Sequence, residues 1–390
     1  MENKAWTENN KFSICFLSSM HPPEDKRVFT KEAVYIADKG YEVIHLAPSN
    51  TAEVYQKDGV FISTYKTLGT GIHFRLVRLP RLFFFAREID ADCYHCNEPD
   101  SWIAGIFLKI FTGKKVIFDV HEHYPSRVAE NYFPRLFRPF VESVVIVFFK
   151  ILSNFTDVLI YAKKSVAADF PKKKKSVFVL NYTPIKNRDL DTDIQKQKTN
   201  ERITAVHLGL ISRKRGWPEA VNALSRIKHD FILHIVGKFS DGSADDFSKK
   251  VEELGIKDKV ICEGWMNYDD AFERLLAADI GLILFQPGIK NHEFALPHKL
   301  FDYMLAGLPV IAPIFAKEIA PIVENENCGV LVNTDDPLEI SQAFEYLISN
   351  PEKRYEMGQN GRAAVIREYN WEAEAEKLID MYSNLLGNPI

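Results

Sequence analysis

The chain has few cysteines and no obvious export signal. Its 390 residues include only five cysteines, whose positions do not form a disulfide framework. Cys93 and Cys96 have CxxC spacing, but no second pair completes a zinc site. The polar N-terminus and the strand-length apolar run from 12 to 17 resemble neither a signal peptide nor a membrane span. These absences predict a reduced, cytoplasmic protein.

Nucleotide-binding glycine motifs are also missing. The turn after the first predicted strand, residues 18 to 23, reads SSMHPP and contains no glycine, so the GxGxxG fingerprint is absent. A dinucleotide pyrophosphate cannot approach such a backbone in the usual way. The sequence contains no Walker motif and no Ser/His/Asp signature. It therefore argues against a dehydrogenase, a P-loop enzyme and a serine hydrolase.

The charge is moderate and unevenly distributed. The chain carries a net charge of −4, yet residues 1 to 190 are net positive and the remainder is net negative. The basic half lacks the aromatic interleaving and the motifs of nucleic-acid modules, so no nucleic-acid partner is expected. An anionic surface is the better candidate partner for the first half.

The hydrophobic pattern alternates strand-like and helix-like segments along the whole chain. With 46% hydrophobic and 26% charged residues, the composition is that of a globular protein of about two domains. The alternation predicts an α/β fold with two doubly wound Rossmann-like domains facing a cleft. We expect an N-terminal domain over 1–190, a C-terminal domain over 191–370, and a final helix over 371–390 that packs back on the N-terminal domain.

The segment 291–313, NHEFALPHKLFDYMLAGLPVIAP, predicts a helix that receives an anion. Pro297 suits the first helical turn, and Gly307 suits the end of the helix before a short buried strand. Amides around Phe294, Ala295 and Leu296 should then be free to bind a phosphate.

Several motifs resemble the retaining GT-B glycosyltransferases of family four, over essentially the whole chain. In the second half, the resemblance is carried by LGLISRKRG at 208–216, by Gly237 and Gly264 after later strands, and by the helix ending in GLPVIA. In the first half, HxPxDxR (His21, Pro23, Asp25, Arg27) and DxHE (Asp119, His121, Glu122) match a subset of the family. The resemblance implies the GT-B fold.

Two positions depart from the family pattern. The family usually has an arginine after the first glycine of the second domain, where this chain has Leu210, so the charge must come from Arg215 with Arg213 or Lys214. The residue eight positions before Asp302 is Phe294, and the nearest acid is Glu293. An inserted residue in the loop, or use of Asn291, would restore the acid pair.

The resemblance also implies site residues on both halves. The leaving nucleoside diphosphate is stabilised by arginine and the helix end, Asp302 binds ribose, and Glu293 binds the donor sugar. The implied catalytic residues are Arg215, Glu293 and His121. The implied donor-binding residues are Gly209, Arg213, Lys214, Gly237, Phe294, Ala295, Leu296, Lys299 and Asp302. Independently of the resemblance, His21, Asn97, Glu98 and Glu122 follow predicted strands, as His121 does. They are therefore expected to converge on the cleft from the acceptor side.

No metal or other cofactor is expected. The acidic triplet Asp90-Ala-Asp92 starts a predicted strand rather than ending one, and a second triplet, 189–193, lies in a polar linker. The expected donor is a nucleoside diphosphate sugar, with UDP favoured over GDP.

Two arginine-rich apolar segments bear on membranes. Residues 74–87 and 133–155 mix arginines with phenylalanine, leucine and valine. Either segment could lie in a bilayer interface, or be a crossover helix with its polar face in water. The first interpretation predicts a protein that is peripheral on the inner face of the cell membrane.

Taken with the resemblance, these features predict a retaining, metal-independent transferase of the hexosyltransferase type. Its acceptor would be a glycan or a lipid-linked sugar in cell-surface polysaccharide synthesis. Two alternatives remain open. A GT-B nucleotide-sugar epimerase would change the sugar nucleotide without an acceptor. A catalytically silent nucleotide-binding partner would explain Leu210 and the irregular acid spacing.

Overall fold

A computed structural model describes residues 11–67, 72–172, 174–185 and 202–388. The chain divides into two compact units. The first unit comprises Met1–Asn181 and Ala373–Ile390, and the second comprises Tyr182–Glu372. Most of the linker expected over residues 183–201, including the acidic triplet at 189–193, lies outside the described residues.

The first unit is built on an eight-stranded sheet. Its strands are β1 (Ser13–Leu17), β2 (Glu42–Ser49), β3 (Val54–Lys57), β4 (Val60–Lys66), β5 (Cys93–Cys96), β6 (Lys115–Val120), β7 (Val158–Tyr161) and β8 (Ser176–Phe178). Their order is β3-β4-β2-β1-β5-β6-β7-β8, and every pairing is parallel except β3 with β4. The strand order reverses direction at β1 and β5, where such sheets usually bind ligands.

The helices of the first unit alternate with these strands. A π-helical segment, Lys26–Ala33, leads into α1 (Val34–Asp38). It is followed by α2 (Ile72–Ile89), α3 (Pro99–Thr112), α4 (Tyr124–Tyr132) and α5 (Arg138–Ser153), with 3₁₀ turns at Arg135–Phe137 and Lys164–Asp169.

The second unit has a six-stranded sheet that is parallel throughout its described pairings. Its strands are β9 (Ile203–Leu208), β10 (Phe231–Val236), β11 (Val260–Gly264), β12 (Ile280–Leu282), β13 (Val310–Pro313) and β14 (Gly329–Val332). The order β11-β10-β9-β12-β13-β14 is the 3-2-1-4-5-6 order of a doubly wound fold, with its switch point between β9 and β12.

Helices also separate the strands of the second unit. They are α6 (Trp217–Leu224), α7 (Ala244–Glu253), α8 (Tyr268–Leu276), α9 (Lys290–Glu293), α10 (His298–Leu305), α11 (Ile319–Asn325), α12 (Pro337–Ser349) and α13 (Pro351–Arg367), with 3₁₀ turns at Arg213–Arg215 and Lys257–Lys259. The last helix, α14 (Trp371–Leu386), carries Tyr382 into the first unit, where its hydroxyl lies 2.6 Å from His95 Nδ1.

Burial explains why the strand segments read as continuous apolar runs. The central strands β1, β5 and β13 are almost wholly buried, because helices cover both faces of a parallel sheet. In the first unit, Trp102 stacks on Phe118 with ring centroids 4.1 Å apart. In the second, the Tyr303 hydroxyl accepts from Leu208 N–H and lies 3.3 Å from Leu282 O, which joins β9 to β12 at the switch point.

The predicted fold class, two doubly wound α/β units, is confirmed. The pattern did not predict the edge strand β3 or the short helix α9. The two arginine-rich segments fall largely on α2 and on α5 with its preceding turn. Within the described ranges, no helix is both long and apolar enough to cross a bilayer.

Candidate functional site

In the first unit, the predicted acceptor-side residues meet at the carboxyl ends of β1, β5 and β6. They line a cavity of about 230 Å³. Its walls are formed by Met20, His21, Pro22, Glu98, His121, Glu122, Tyr124 and Arg127. Asn97 is not among them, because its amide nitrogen turns inward to Leu17 O and Ser18 Oγ. Three separate segments, which follow β1, β5 and β6, therefore contribute to one cavity.

Glu98 is a buried anchor for the loop after β1. Its carboxylate accepts hydrogen bonds from the backbone N–H groups of Ser19, Met20 and His21, and lies 2.6 Å from His21 Nδ1. Although burial opposes ionisation, these donors, His21 above all, lower the pKa of Glu98 to about 2. Burial likewise disfavours the charged imidazole, but Glu98 raises the pKa of His21 to about 9. At neutral pH the pair is an imidazolium on a carboxylate.

Arg27 and Asp119 form a buried ion pair that joins the HxPxDxR and DxHE motifs. Arg27 Nη2 lies 3.0 Å from Asp119 Oδ2, and it also donates to Val179 O. Asp119 Oδ2 in turn lies 2.6 Å from His121 Nε2. Burial raises the pKa of Asp119, but the Arg27 charge outweighs it and holds that pKa well below its usual range. Asp119 is therefore an anion that orients His121.

The two histidines of the cavity carry different protonation states. Their rings meet edge to face with centroids 5.1 Å apart. Burial lowers the pKa of His121 despite the opposing charge of Asp119, whereas the pKa of His21 is raised. Environments that separate two pKa values in this way are typical of acid and base assignments at active sites. The cavity thus offers a cationic donor beside a neutral imidazole.

A second set of buried polar groups lies beneath this cavity. Ligand atoms of Glu32, His95 and Asp119 lie within 4.8 Å of one another, a spacing that a metal ion could use. Arg27 Nη2, however, is 3.0 Å from both Glu32 and Asp119 and already supplies a positive charge. Burial raises the pKa of Glu32 well above its usual range, which favours a neutral carboxyl. The site suits the guanidinium better than a metal.

The other expected acidic groups have structural partners. Glu122 at the cavity rim pairs with Arg127. Asp92 accepts from Ser13 N–H and Oγ, and it pairs with Lys114, as does Asp90 at 3.7 Å. The Asp92 carboxylate thus fixes the start of β1.

In the second unit, two glycines allow the loops after β9 and β10 to touch. Gly209 N–H donates to Val236 O, and a Cβ on Gly237 would lie 1.7 Å from Gly209 O. Gly216, at φ +81°, presses against Leu284, whose carbonyl oxygen would lie 2.1 Å from an added Cβ. Gly209 and Gly237 thus hold the loops that surround the predicted donor site.

The three basic residues of the RKRG turn have different surroundings. Arg213 is half exposed and forms an ion pair with Asp246, and its backbone N–H donates to Asp241 Oδ2. Lys214 is exposed. Arg215 lies over the Phe285 ring, with Cζ 5.4 Å from the ring centroid. Lys299, from α10, approaches the same ring, with Nζ at 5.5 Å. Arg215 and Lys299 therefore form a basic cluster on Phe285.

The two predicted acids differ in burial. Asp302 is 2% exposed, and its carboxylate accepts from Thr183 Oγ1 and Tyr268 OH and lies 2.9 Å from His298 Nδ1. Glu293 lies at the surface and pairs with Lys317 and Lys290. Its hydrogen bond with Lys317 lowers the pKa of Glu293 despite partial desolvation. The ribose role of Asp302 and the sugar role of Glu293 stay predictions.

The expectation of free amides at residues 294 to 296 is wrong for two of them. Phe294 N–H donates to Lys290 O, and Ala295 N–H donates to His292 O. The cause is the unpredicted helix α9, which ends here and uses these amides itself. All three side chains are buried, including that of Leu296. The phosphate-binding role must therefore rest on side chains more than on these amides.

Several site residues could not be anticipated from the motifs. Thr183 and Tyr268 hold Asp302 from distant parts of the chain, and Phe285 underlies the basic cluster. Tyr124 lines the cavity of the first unit. One signal existed for Phe285, since it is the last residue of the predicted strand IGLILF, at the carboxyl end where ligands bind.

In a comparison with known protein families, the second half of the chain matches one family model. The model of the family glycosyl transferases group 1 matches residues 189–364. The MMP α-(1→4)-mannosyltransferase of Mycolicibacterium hassiacum is 23% identical over 161 residues, which cover 41% of this chain and 37% of that protein. The chain thus aligns with less than half the length of this curated relative.

Solved structures match almost the whole chain. Sucrose-phosphate synthase from Thermosynechococcus elongatus superposes with a TM-score of 0.74 at 17% identity, covering 96% of this chain and 99% of that one. HepE of Anabaena, solved in complex with UDP, gives a TM-score of 0.71 at 14% identity, covering 96% and 100%. At these identities the similarity establishes the GT-B fold and confirms that part of the resemblance.

Proposed function

We propose that this chain, whose residues 189–364 match the family glycosyl transferases group 1, is a glycosyltransferase. It would transfer a sugar from a nucleoside diphosphate donor to a glycan or lipid-linked acceptor. The observation that carries the proposal is the basic cluster on Phe285. Arg215 and Lys299 reach the same ring from the 213–216 turn and from α10. Two cations beside the switch point of a doubly wound sheet suit a diphosphate.

In this proposal the second unit binds the donor and stabilises the leaving group. Breaking the bond between sugar and phosphate leaves a diphosphate whose negative charge must be neutralised, and arginine and lysine can do this without a metal ion. UDP is the favoured nucleotide, and the structural neighbour HepE, solved with UDP, supports that choice. We expect a hexosyl transfer with retention of anomeric configuration, and we expect Asp302 to hold the ribose and Glu293 the sugar.

The first unit supplies the acceptor-side groups. His121 is neutral and oriented by Asp119, so it can accept a hydrogen bond from an acceptor hydroxyl. His21 is cationic and held by Glu98, so it can donate to an oxygen of either substrate. Both histidines line the cavity of about 230 Å³, where we expect part of the acceptor to bind.

Product analysis tests the proposal. The purified protein would be incubated with UDP- and GDP-linked hexoses, alone and with oligosaccharides or a lipid-linked sugar fraction, and analysed by mass spectrometry and NMR. We expect release of nucleoside diphosphate together with one added hexose on an acceptor, in the anomeric configuration of the donor. A changed sugar nucleotide without an acceptor would indicate the epimerase, and tight nucleotide binding without turnover would indicate the silent partner.

A peripheral membrane location is the second part of the proposal. The 3₁₀ turn and α5 expose an apolar face flanked by Arg135 and Lys150. Leu136 is 84% exposed and Phe140 is 71% exposed. The other exposed apolar side chains of this face are Phe137, Val144, Val147, Phe148, Ile151 and Phe155. Apolar groups with basic neighbours suit the surface of an anionic bilayer, where each basic side chain adds about 1 kcal/mol. We therefore propose that the protein acts at the inner face of the cell membrane. There it would extend a lipid-linked acceptor in polysaccharide synthesis.

Vesicle sedimentation tests this location. Wild-type protein should sediment with phosphatidylglycerol vesicles at low salt, and less so as salt shortens the Debye length. The pair Arg135→Glu and Lys150→Glu, and separately Phe140→Ser with Val144→Ser, should release it. Lys257→Glu, an exposed site in the second unit, is the matched control. If wild-type protein stays in the supernatant at low salt, the acceptor is better sought among soluble glycans.

A further inference from the structure

The loop after β9 lacks a cation where the family resemblance places one. Leu210 occupies that position, and its neighbours do not all compensate. Arg213 is engaged by Asp246 and Asp241 on the side of α7, and Lys214 is exposed. Arg215 is the only basic residue of this turn that lies over the Phe285 ring in the described part of the chain. The single positive charge of one guanidinium neutralises only part of the negative charge on a leaving diphosphate.

Lys299 is a buried lysine that forms no ion pair within the described part of the chain. It is 7% exposed, and its Nζ has no hydrogen-bond partner among the described residues. Its pKa is lowered well below the usual range by burial and then by the nearby charge of Arg215. A buried ammonium that is neither paired nor hydrogen-bonded is costly in folding. Such a residue is unfavourable unless a ligand supplies the missing partner.

Lys299 and Leu210 share a neighbour. His207 Nε2 lies 3.2 Å from Leu210 O. Burial, and next the charge of Lys299, lower the pKa of His207 well below its usual range. Leu210 is half-buried, so a longer side chain at this position has room to extend. Leu210 and Lys299 thus both have His207 as a neighbour, so a positive charge at either position would affect the surroundings of the same ring.

We propose that Lys299 supplies from α10 the positive charge that the loop lacks at Leu210, and that its ammonium binds the diphosphate of the nucleotide together with Arg215. This inference rests on the proposed function and adds the residue that replaces the missing arginine. Both cations lie over the Phe285 ring, which is itself buried, and charges attract each other more strongly beside buried apolar groups than in bulk water. Phosphate oxygens then satisfy the ammonium that the protein leaves unbonded.

Calorimetry with UDP and with uridine, which lacks the phosphates, tests the inference. Four proteins are compared with wild type: Lys299→Met, Lys299→Arg, the double variant Lys299→Met/Leu210→Arg, and the control Lys257→Met at an exposed lysine far along the chain. The Lys299→Met variant should bind UDP about 10- to 100-fold more weakly than wild type, because it loses a hydrogen bond between charged groups. Uridine binding should not change. Lys299→Arg should retain most of the UDP affinity.

The double variant separates a relocated charge from a structural lysine. Adding Leu210→Arg should restore part of the UDP affinity lost in Lys299→Met, because the charge returns to the family position. The ligand-free melting temperature of Lys299→Met should equal or exceed that of wild type, since methionine removes an unpaired buried charge at similar volume. This melting temperature also confirms that the variant is folded.

Each contrary result has a distinct meaning. If Lys299→Met binds UDP as tightly as wild type, the inference is overturned while the proposed function stands. If Leu210→Arg restores nothing, Lys299 does not replace a charge at that position and the inference is again overturned. If wild-type protein binds neither UDP nor GDP, the proposed function fails, and the inference fails with it.

Discussion

At the carboxyl edge of the first sheet, the charged side chains neutralise one another, whereas at the same edge of the second sheet positive charge accumulates. His21 is paired with Glu98, and Asp119 is paired with Arg27 and His121. In the second unit, Lys299 Nζ has no hydrogen-bond partner among the residues that the structure describes, and it lies over the same Phe285 ring as Arg215. One doubly wound topology thus carries two different electrostatic environments.

The difference indicates a division of labour between the two edges. A neutralised network keeps its geometry without a ligand, so the first cavity is preorganised and sets protonation states in advance. An unneutralised cluster gains most when an anion arrives, so the second edge is suited to binding a diphosphate. Variants that break pairs should therefore damage the stability of the first unit, and variants that remove cations should damage ligand handling by the second.

Breaking the buried pair should produce the largest effect. Asp119→Asn removes one of the two carboxylates that lie 3.0 Å from the Arg27 guanidinium, and it is the one that stays charged despite burial. We expect a loss of about 3–5 kcal/mol in the free energy of unfolding. Urea denaturation measures it. Glu122→Gln, which breaks the half-exposed pair with Arg127, is the control and should cost less than about 1 kcal/mol. Equal losses in the two variants would contradict a special role for the buried network.

Removing the guanidinium from the basic cluster should come next. Arg215→Met should lower kcat by about 10²–10³, the scale of losing one preorganised donor to a developing anion. The adjacent Arg213→Met is the matched control, because Arg213 is already paired with Asp246 and should have a much smaller effect. Both variants would be assayed by nucleoside diphosphate release. A larger loss from Arg213→Met would reverse the assignment.

The smallest expected effect concerns the protonation of His21. Because Glu98 raises the pKa of His21, its ring resonances should titrate near pH 9 rather than at the ordinary 6.5. Glu98→Gln should lower this midpoint, since burial is then opposed only by the charges of Asp25 and Asp119. Glu122→Gln in the same cavity should leave it nearly unchanged. NMR of the histidine ring protons gives the midpoints, and an unshifted His21 in the Glu98→Gln variant would refute the pairing.

The sign of the corresponding stability change follows from linkage. A pKa that is raised on folding stabilises the protein fully below pH 6.5, and this contribution is lost as pH rises through 9. The free energy of unfolding of wild type should therefore decline between these values. The decline should be smaller in Glu98→Gln.

The sequence predicted the fold because its signal is local. Apolar strand segments alternate with segments of helical periodicity, and the strands lie in nearly all of the predicted positions. Residues that follow parallel strands must then lie at the same edge of the sheet. This is why His21, Glu98, His121 and Glu122 line one cavity. The neighbouring Asn97 turned inward because its amide finds backbone and hydroxyl partners there.

The remaining features depend on contacts that no local pattern contains. Arg27 and Asp119 are 92 residues apart, and Thr183 reaches Asp302 across 119. The four-residue helix α9 is too short to show a period, so its use of the Phe294 and Ala295 amides was not foreseen. Within the RKRG turn, adjacent arginines point to different partners, which only the packing of the turn decides.

A structure of the protein crystallised with UDP would test the contrast between the two edges most directly. The account predicts diphosphate oxygens within hydrogen-bond distance of Lys299 Nζ and of the Arg215 guanidinium, beside Phe285. The pairs His21–Glu98 and Arg27–Asp119 should remain as they are. A diphosphate bound instead in the first cavity, on His21 and Arg127 with Lys299 left unbonded, would contradict the account.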